Sequence, residues 1–224
     1  MSKVVHPYAH RLTILRDWKS RWFAAPARYK EYLKGDITMR EYLEKKLRGG
    51  YISSIEIERS SKSLRVLIHT SRPGVLIGRS GEAAVRLRED ILRFMKARRL
   101  LATEEFKLDV MEVPSPDADA RIAAYSIVEG LEKRLPYRRV IKQAVEKIIN
   151  TRGILGARIR LSGRLGGAEI ARREDIRRGS IPLQTFRADV DFARERAHLP
   201  YGDIGIKVWI YKGIVFDKKS ENKD

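Results

Sequence analysis

The chain has 224 residues, 43% of them hydrophobic, which suits two small domains with packed cores better than one domain of average size. Its 47 lysines and arginines exceed its 29 acidic residues, and the resulting net charge of +18 attracts polyanions, with nucleic acid as the leading partner class and an anionic membrane surface as the second. The sequence has no cysteine, which excludes disulfides and thiolate sites. No apolar run approaches the roughly 18 residues that a membrane span needs, and the N-terminus lacks the apolar core of a signal peptide. We therefore expect a cytoplasmic protein without a membrane span.

The first 112 residues predict a basic arm followed by a compact α+β domain. Residues 1–27 form the arm, in which Trp18, Trp22 and Phe23 stand among arginines and lysines and either stack on RNA or pack onto the first domain. Residues 28–112 form the domain. Its predicted elements are a helix over 26–48, strands at 55–58, 64–69 and 106–110, and a helix carrying the apolar stripe of 84–95.

A glycine-rich loop between the second strand and the second helix is the most informative motif. Gly78 and Gly81 flank Arg79 and Ser80, and Arg72 precedes the motif. Two glycines let the backbone approach a sugar-phosphate chain, and the following helix start offers unpaired N–H groups to a phosphate. This pattern is typical of the clamp of a KH nucleic-acid module, although an ordinary strand-to-helix turn is the alternative.

A second domain follows a proline-containing linker at residues 113–116. Residues 117–215 predict two helices, the second starting after Pro136, packed over a three-stranded sheet. The predicted strands are 157–161, 186–192 and 206–211. Residues 216–224 form a polar tail.

Two groups of cations in this domain are candidate RNA contacts. Arg138, Arg139 and Lys142 share the polar face of the helix after Pro136, where they either line a groove for a single strand or are simply solvated. The densest basic stretch then follows, together with flexible glycines, and arginine binds phosphate through two parallel hydrogen bonds. Its candidate residues are Arg158, Arg160, Arg164, Gly166, Gly167, Arg172, Arg173, Arg177 and Arg178.

Enzymatic functions have weak support in the sequence. Asp189 and Asp191 point to the same face of a strand and would suit a metal-dependent nuclease, but ion pairing with a nearby arginine explains them better. Neither a Walker-type phosphate loop nor a dinucleotide-binding glycine motif occurs. We therefore expect no cofactor, no metal and no catalytic residue, and we expect Trp209 and Tyr211 to pack within a sheet.

Several longer strings make the chain resemble a known family, the bacterial type of the third small-subunit ribosomal protein. They are residues 163–172 (GRLGGAEIAR), 187–191 (RADVD), 201–210 (YGDIGIKVWI), 69–74 (HTSRPG), His6-Pro7 and Trp22-Phe23. The resemblance runs in order from about residue 3 to residue 215. It implies a type II KH domain followed by an α/β domain with two helices on a mainly antiparallel sheet, and a structural, non-enzymatic role in the head of the small subunit.

The resemblance also implies partners. Proteins of this kind bind small-subunit rRNA, neighbour ribosomal proteins S-ten and S-fourteen, and help line the channel through which mRNA enters, together with proteins S-four and S-five. The family's Arg-Arg-x-x-Lys pattern matches Arg138, Arg139 and Lys142 and is linked to gripping structured mRNA, whereas Gln143 replaces a frequent further base. A free-standing KH regulator of RNA remains the alternative function, ahead of the nuclease.

Overall fold

A computed structural model describes residues 6–60, 63–98, 100 and 105–215 of the chain. These residues form two compact units: the smaller is Trp18–Pro114, and the larger combines the described parts of Met1–Asp17 and Ser115–Asp224. The residues predicted as one arm are therefore divided, with the helix α1 (Pro7–His10) in the larger unit and the short strand β1 (Ser20–Arg21) in the smaller. The predicted tail of residues 216–224 lies outside the described residues.

The smaller unit has the order helix, two strands, two helices, strand. Its elements are α2 (Pro26–Lys46), β2 (Ile52–Arg59), β3 (Ser63–Thr70), α3 (Pro73–Ile77), α4 (Glu82–Ala97) and β4 (Glu105–Glu112). The sheet order is β1-β2-β3-β4, with β2 and β3 antiparallel and β3 and β4 parallel. The return of β4 in parallel requires the crossover that α3 and α4 provide.

One hydrophobic core holds the smaller unit together. Leu87, Ile91 and Met95 are four residues apart on α4 and form one buried stripe. They pack in the same cluster as Met39 and Leu43 of α2 and the inward-facing residues of the strands. Burying a side chain such as Ile91 completely contributes about 1.5–3 kcal/mol, so the amphipathic pattern of α4 determines where this helix packs.

The helix α3 was not predicted, because residues 75–81 were assigned to a loop. Pro73 occupies its first turn, where the missing N–H costs nothing, and Gly78 ends it with a φ of 72°. Leu76 is buried in the core, so the short helix places the glycine loop directly at the start of α4.

The larger unit has two helices on one face of an antiparallel sheet. Its elements are α5 (Ala120–Glu132), α6 (Tyr137–Asn150), β5 (Gly156–Gly163), β6 (Arg172–Gly179), β7 (Ala188–Leu199) and β8 (Gly202–Ile214), with the sheet order β6-β5-β8-β7. Asp119 caps α5, since its Oδ1 accepts hydrogen bonds from the backbone N–H groups of Arg121 (2.9 Å) and Ile122 (3.0 Å).

The prediction of three strands in this unit was wrong, because the sheet has four. The missed strand is β6, whose sequence RREDIRRG places only one apolar residue, Ile176, toward the core. An edge strand bonded on one side and solvated on most of its surface needs no apolar alternation, so hydrophobic periodicity could not reveal it.

The N-terminal segment covers part of the opposite face of this sheet. His6 packs edge-on against Phe192, with ring centroids 4.6 Å apart, and α1 lies against β7. A small second core forms beneath it from Ala188, Val190, Trp209 and Tyr211, so the latter two aromatic rings pack within the sheet as predicted. No helix within the described residues is both long enough and apolar enough to span a membrane.

Candidate nucleic-acid interface

The glycine loop has a backbone shape that ordinary residues adopt poorly. Gly78, Ser80 and Gly81 have φ angles of 72°, 52° and 81°, and α4 begins immediately afterwards at Glu82. A Cβ added at Gly78 would lie 2.7 Å from the Cβ of Ala83, so the position requires glycine for space as well as for conformation. No side chain caps α4, and the N–H of Glu82 donates to the carbonyl of Arg79, so the positive end of the helix dipole lies at the glycine loop.

Two arginines at this loop differ in their side-chain contacts. The guanidinium of Arg72 stacks over the ring of Tyr51 at 4.2 Å from its centroid, which fixes its direction. Arg79 lies within the loop itself, and no acidic side chain in the described part of the chain pairs with it. The loop thus combines a close-approach backbone with one oriented and one unneutralised cation.

The three cations predicted on one face of α6 do not form one equivalent set. Arg138 binds Glu174 on β6, with 3.3 Å between Nη2 and Oε1, and the hydroxyl of Tyr137 donates to the same oxygen at 2.8 Å. Both hydrogen bonds lower the pKa of Glu174, and the bond from Tyr137 has the larger effect. Arg139 and Lys142 are exposed and, among the described residues, have no acidic partner. Two positive charges are therefore available on this face of α6.

The arginine-rich stretch is divided between the two faces of the sheet. Side chains alternate along a strand, so Arg178 lies on the side of α6, where it pairs with Glu146 at 3.4 Å, and Arg172 lies on the same side. Arg173 and Arg177 point to the opposite, open face. Sequence proximity suggested one basic patch, whereas the strand geometry separates these side chains into two groups.

Asp175 organises two arginines on the open face. It forms a bidentate pair with Arg158 and accepts a hydrogen bond from Nη2 of Arg160 at 2.9 Å. Burial opposes the ionisation of Asp175, but the hydrogen bonds from the two arginines outweigh it and the pKa of Asp175 is lowered. Both guanidinium groups also lie over the ring of Trp209, at 5.2 and 5.7 Å from its centroid.

Arg164 is exposed and supports a loop through two hydrogen bonds. Its Nε donates to the carbonyl of Ala168 at 2.9 Å, and its Nη1 donates to the carbonyl of Tyr201 at 3.3 Å. Gly166 and Gly167 in this loop have φ angles of 69° and 82°. The arginine therefore holds the glycine turn closed against the end of β7.

Three basic residues of the open face were not predicted as RNA contacts, because residues 194–196 were expected in a linker after the strand. Arg194 and Arg196 lie on β7 and Lys207 lies on β8, next to Arg160 of β5 in the strand register. The detectable signal was the alternation of these arginines with the buried Ala193 and Ala197, which places both arginines on one face.

The two aspartates considered for a metal site are engaged in ion pairs and hydrogen bonds. Arg16 lies 2.7 Å from Asp189 and 3.9 Å from Asp191, and Asp191 also accepts a hydrogen bond from the backbone N–H of Ala120 at 3.0 Å. Within the described residues, no group of three or more histidine, aspartate or glutamate side chains could hold a metal ion. Ion pairing explains both carboxylates, with Arg16 as the observed partner.

The fold and the loop together define a class of protein. A helix-strand-strand-helix-helix-strand unit with parallel β3 and β4, and a Gly-x-x-Gly loop before α4, is a type II KH domain, which is an RNA-binding module. A family model described as "KH domain" matches residues 38–118, and one described as "Ribosomal protein S3, C-terminal domain" matches residues 127–210.

Relatives of the same family cover nearly the whole chain. "Small ribosomal subunit protein uS3" of Caldicellulosiruptor bescii is 42% identical over 98% of this chain and 96% of that protein. The proteins of the same name from Xanthomonas campestris pv. campestris and Coxiella burnetii are 46% and 41% identical, over 97% and 100% of this chain and 86% and 95% of their own lengths. The chain belongs to the ribosomal protein S3 family. The predicted α+β fold and the prediction of a non-enzymatic ribosomal protein are confirmed.

Proposed function

We propose that this chain is a structural constituent of the small ribosomal subunit in the cytoplasm and that it binds small-subunit rRNA. The observation that carries this proposal is the match of both domains, in order, to relatives named as small ribosomal subunit proteins. The net charge of +18 supports it, because RNA backbone binding requires many uncompensated cations.

The KH domain is the first RNA contact that we propose. Gly78 and Gly81 allow close approach of an RNA backbone, while Arg79 and the positive end of the α4 dipole supply positive charge at the loop. Arg72 would add a cation that Tyr51 already holds in place. Ser80, at a φ of 52°, contributes its backbone N–H to the same concave turn.

The second proposed contact is rRNA anchoring by the larger unit, residues 117–215. Arg158, Arg160, Arg173 and Arg177 face the open side of the sheet, and Arg172 and Arg178 lie at its edge beside α6. Arg164, Gly166 and Gly167 would present the backbone of their turn. Neighbours of the chain in the subunit head would be ribosomal proteins S-ten and S-fourteen.

The third proposed contact is incoming mRNA at the channel formed with proteins S-four and S-five. Arg139 and Lys142 are exposed cations of α6 with no acidic partner among the described residues, and Arg138 lies beside them in its ion pair with Glu174. A pair of cations three residues apart on one helix face can follow the phosphates of a single strand.

Sedimentation of the endogenous protein tests the ribosomal role. We expect the protein to migrate in equal amounts with small subunits through a sucrose gradient and to remain there after a wash at high salt, because charge pairs that are buried inside an assembled subunit are screened by salt much less than exposed ones. Migration at the top of the gradient, or loss in the wash, would instead support a free-standing KH regulator.

A variant with Arg139 and Lys142 both replaced by alanine tests the mRNA contact. We expect normal subunit assembly but slower translation of messages that carry a stable hairpin, since the two charges are lost without disturbing the core. The measurement is the elongation rate on matched messages with and without the hairpin. The control replaces two other exposed lysines by alanine. Lys133 lies at the C-terminal end of α5, and Lys147 lies in the last turn of α6. Equal rates for the variant and the control on both messages would contradict this role.

A further inference from the structure

The open face of the second sheet, opposite α5 and α6, carries an ordered array of cations. The strand register aligns Arg160, Lys207 and Arg194 in one row across β5, β8 and β7. The next row contains Ser162, Gly205 and Arg196. Neighbouring strands lie about 4.8 Å apart, so the two rows bring these side chains together on one face of the sheet.

Part of this face is buried and part is open. The end nearest Trp209 is covered by α1 and by the segment containing Ile181 and Leu183. The other end is a shallow groove lined by Ser162, Arg194, Arg196, Asp203, Gly205 and Lys207. Arg194 and Arg196 are exposed and Lys207 is half-buried, and in the described residues none of the three pairs with an acidic side chain.

The acidic groups of this face are already engaged. Asp203 lies 2.7 Å from Nδ1 of His198, and Asp175 is held by Arg158 and Arg160. The groove therefore keeps a net positive charge, since Arg194, Arg196 and Lys207 stand against the single carboxylate of Asp203 in its lining. Gly205 leaves room in the groove for the side chain of Ser162, whose hydroxyl donates to the Gly205 carbonyl at 3.4 Å.

The composition of the groove distinguishes between possible occupants. A protein interface has an apolar or aromatic centre with few charges, whereas the aromatic rings of this face, Trp209 and Tyr211, are buried beneath other residues. Guanidinium groups bind phosphate oxygens through two parallel hydrogen bonds, and an ammonium group adds a point charge. These features favour an anionic backbone over a protein surface.

We propose that this open groove binds the phosphate backbone of RNA through Arg194, Arg196 and Lys207, independently of base sequence. The inference rests on the proposed function of rRNA binding and extends it to three residues on strands outside the arginine-rich stretch. Arg158 and Arg160, fixed by Asp175 over Trp209, act as the rigid positive border of the site.

The test compares two full-length variants with the same loss of charge. One replaces Arg194, Arg196 and Lys207 by glutamine, and the control replaces Arg28, Lys30 and Lys34, three exposed cations of α2, by glutamine. Binding to a transcript of bacterial small-subunit rRNA is measured between 50 and 200 mM salt. For the groove variant we expect affinity about 10- to 100-fold weaker than the control at ~0.1 M salt, with a log–log salt slope smaller by about 2–3.

The outcomes separate this inference from the proposed function. If the wild-type protein neither binds the transcript nor sediments with small subunits, the proposed function fails. If the wild type binds and the groove variant matches the control in affinity and slope, only the groove assignment is overturned. If the groove variant binds RNA normally but is lost from small subunits, an acidic protein segment occupies the groove and the RNA assignment is also overturned. Arg194→Lys with Arg196→Lys should bind more tightly than the glutamine variant, because the charge is kept, but more weakly than the wild type, because an ammonium group cannot form the two parallel hydrogen bonds.

Discussion

Replacement of Asp36 by alanine is expected to destabilise the smaller unit by about 3–5 kcal/mol. Asp36 is buried on α2, where its Oδ1 lies 2.6 Å from Nη2 of Arg59 and its Oδ2 accepts a 2.7 Å hydrogen bond from Nε1 of Trp22. The two charged side chains are only 3% and 4% exposed. Removal of the carboxylate leaves the Arg59 charge buried without an acidic partner among the described residues, and that uncompensated charge is the main cost.

Hydrogen exchange of the α2 and β2 amides at increasing urea concentration measures the free energy of unfolding of the smaller unit alone. The control is Asp90→Ala, which removes the exposed ion pair between Lys46 of α2 and Asp90 of α4 and should change stability far less. A double variant, Asp36→Ala with Arg59→Met, should recover much of the lost stability because no charge remains buried. Additive losses in the double variant would contradict the proposed coupling.

Replacement of Arg11 by methionine is expected to cost the larger unit about 3 kcal/mol. Arg11 is 1% exposed, and its guanidinium donates to backbone carbonyls of Ala188 at 2.6 Å, Pro7 at 2.9 Å, Thr185 at 3.0 Å and Leu183 at 3.2 Å. Burial lowers the pKa of Arg11, and nearby Asp189 partly opposes that effect. A methionine side chain fills much of the space of the arginine stem, but it leaves several buried carbonyl oxygens without a hydrogen-bond donor.

Two further variants distinguish geometry from charge at this position. Arg11→Lys keeps the charge but cannot reach the same carbonyls with a planar fork, so it should lose most of the same stability. Arg16→Met removes a partly exposed ion pair with Asp189 and should cost about 1 kcal/mol or less. Urea denaturation, together with the rate of proteolysis near residues 182–188, measures all three variants. A full recovery in Arg11→Lys would show that charge alone is sufficient.

Most of the smaller unit was predictable because its residues follow regular periods. The stripe of Leu87, Ile91 and Met95 predicted α4, and alternation predicted β2, β3 and β4. The glycine loop was recognisable because positive φ angles at Gly78 and Gly81 require a specific residue type. The helix α3 was missed because five residues are too few to establish a helical period.

The candidate site in the larger unit was only partly predictable. The sequence identified Arg139 and Lys142 as neighbours on one helix face, which three-residue spacing alone establishes. It grouped Arg172, Arg173, Arg177 and Arg178 as one patch, although alternation along β6 divides them between opposite faces. The segment had no apolar alternation that would have indicated a strand.

The family, the net charge, the amphipathic helices and the glycine loop can all be recognised in the amino-acid sequence. Each of them depends on residue identity or on spacing within one element. The folded chain alone reveals that Arg11 is buried among backbone carbonyls and that Trp22 and Arg59 meet at Asp36. It also places Arg194, Arg196 and Lys207 on the same sheet face as Arg160. These contacts join residues that are far apart in the chain. Which distant strands pair, and in which register, depends on packing across the whole sheet, and local spacing in the sequence does not encode it.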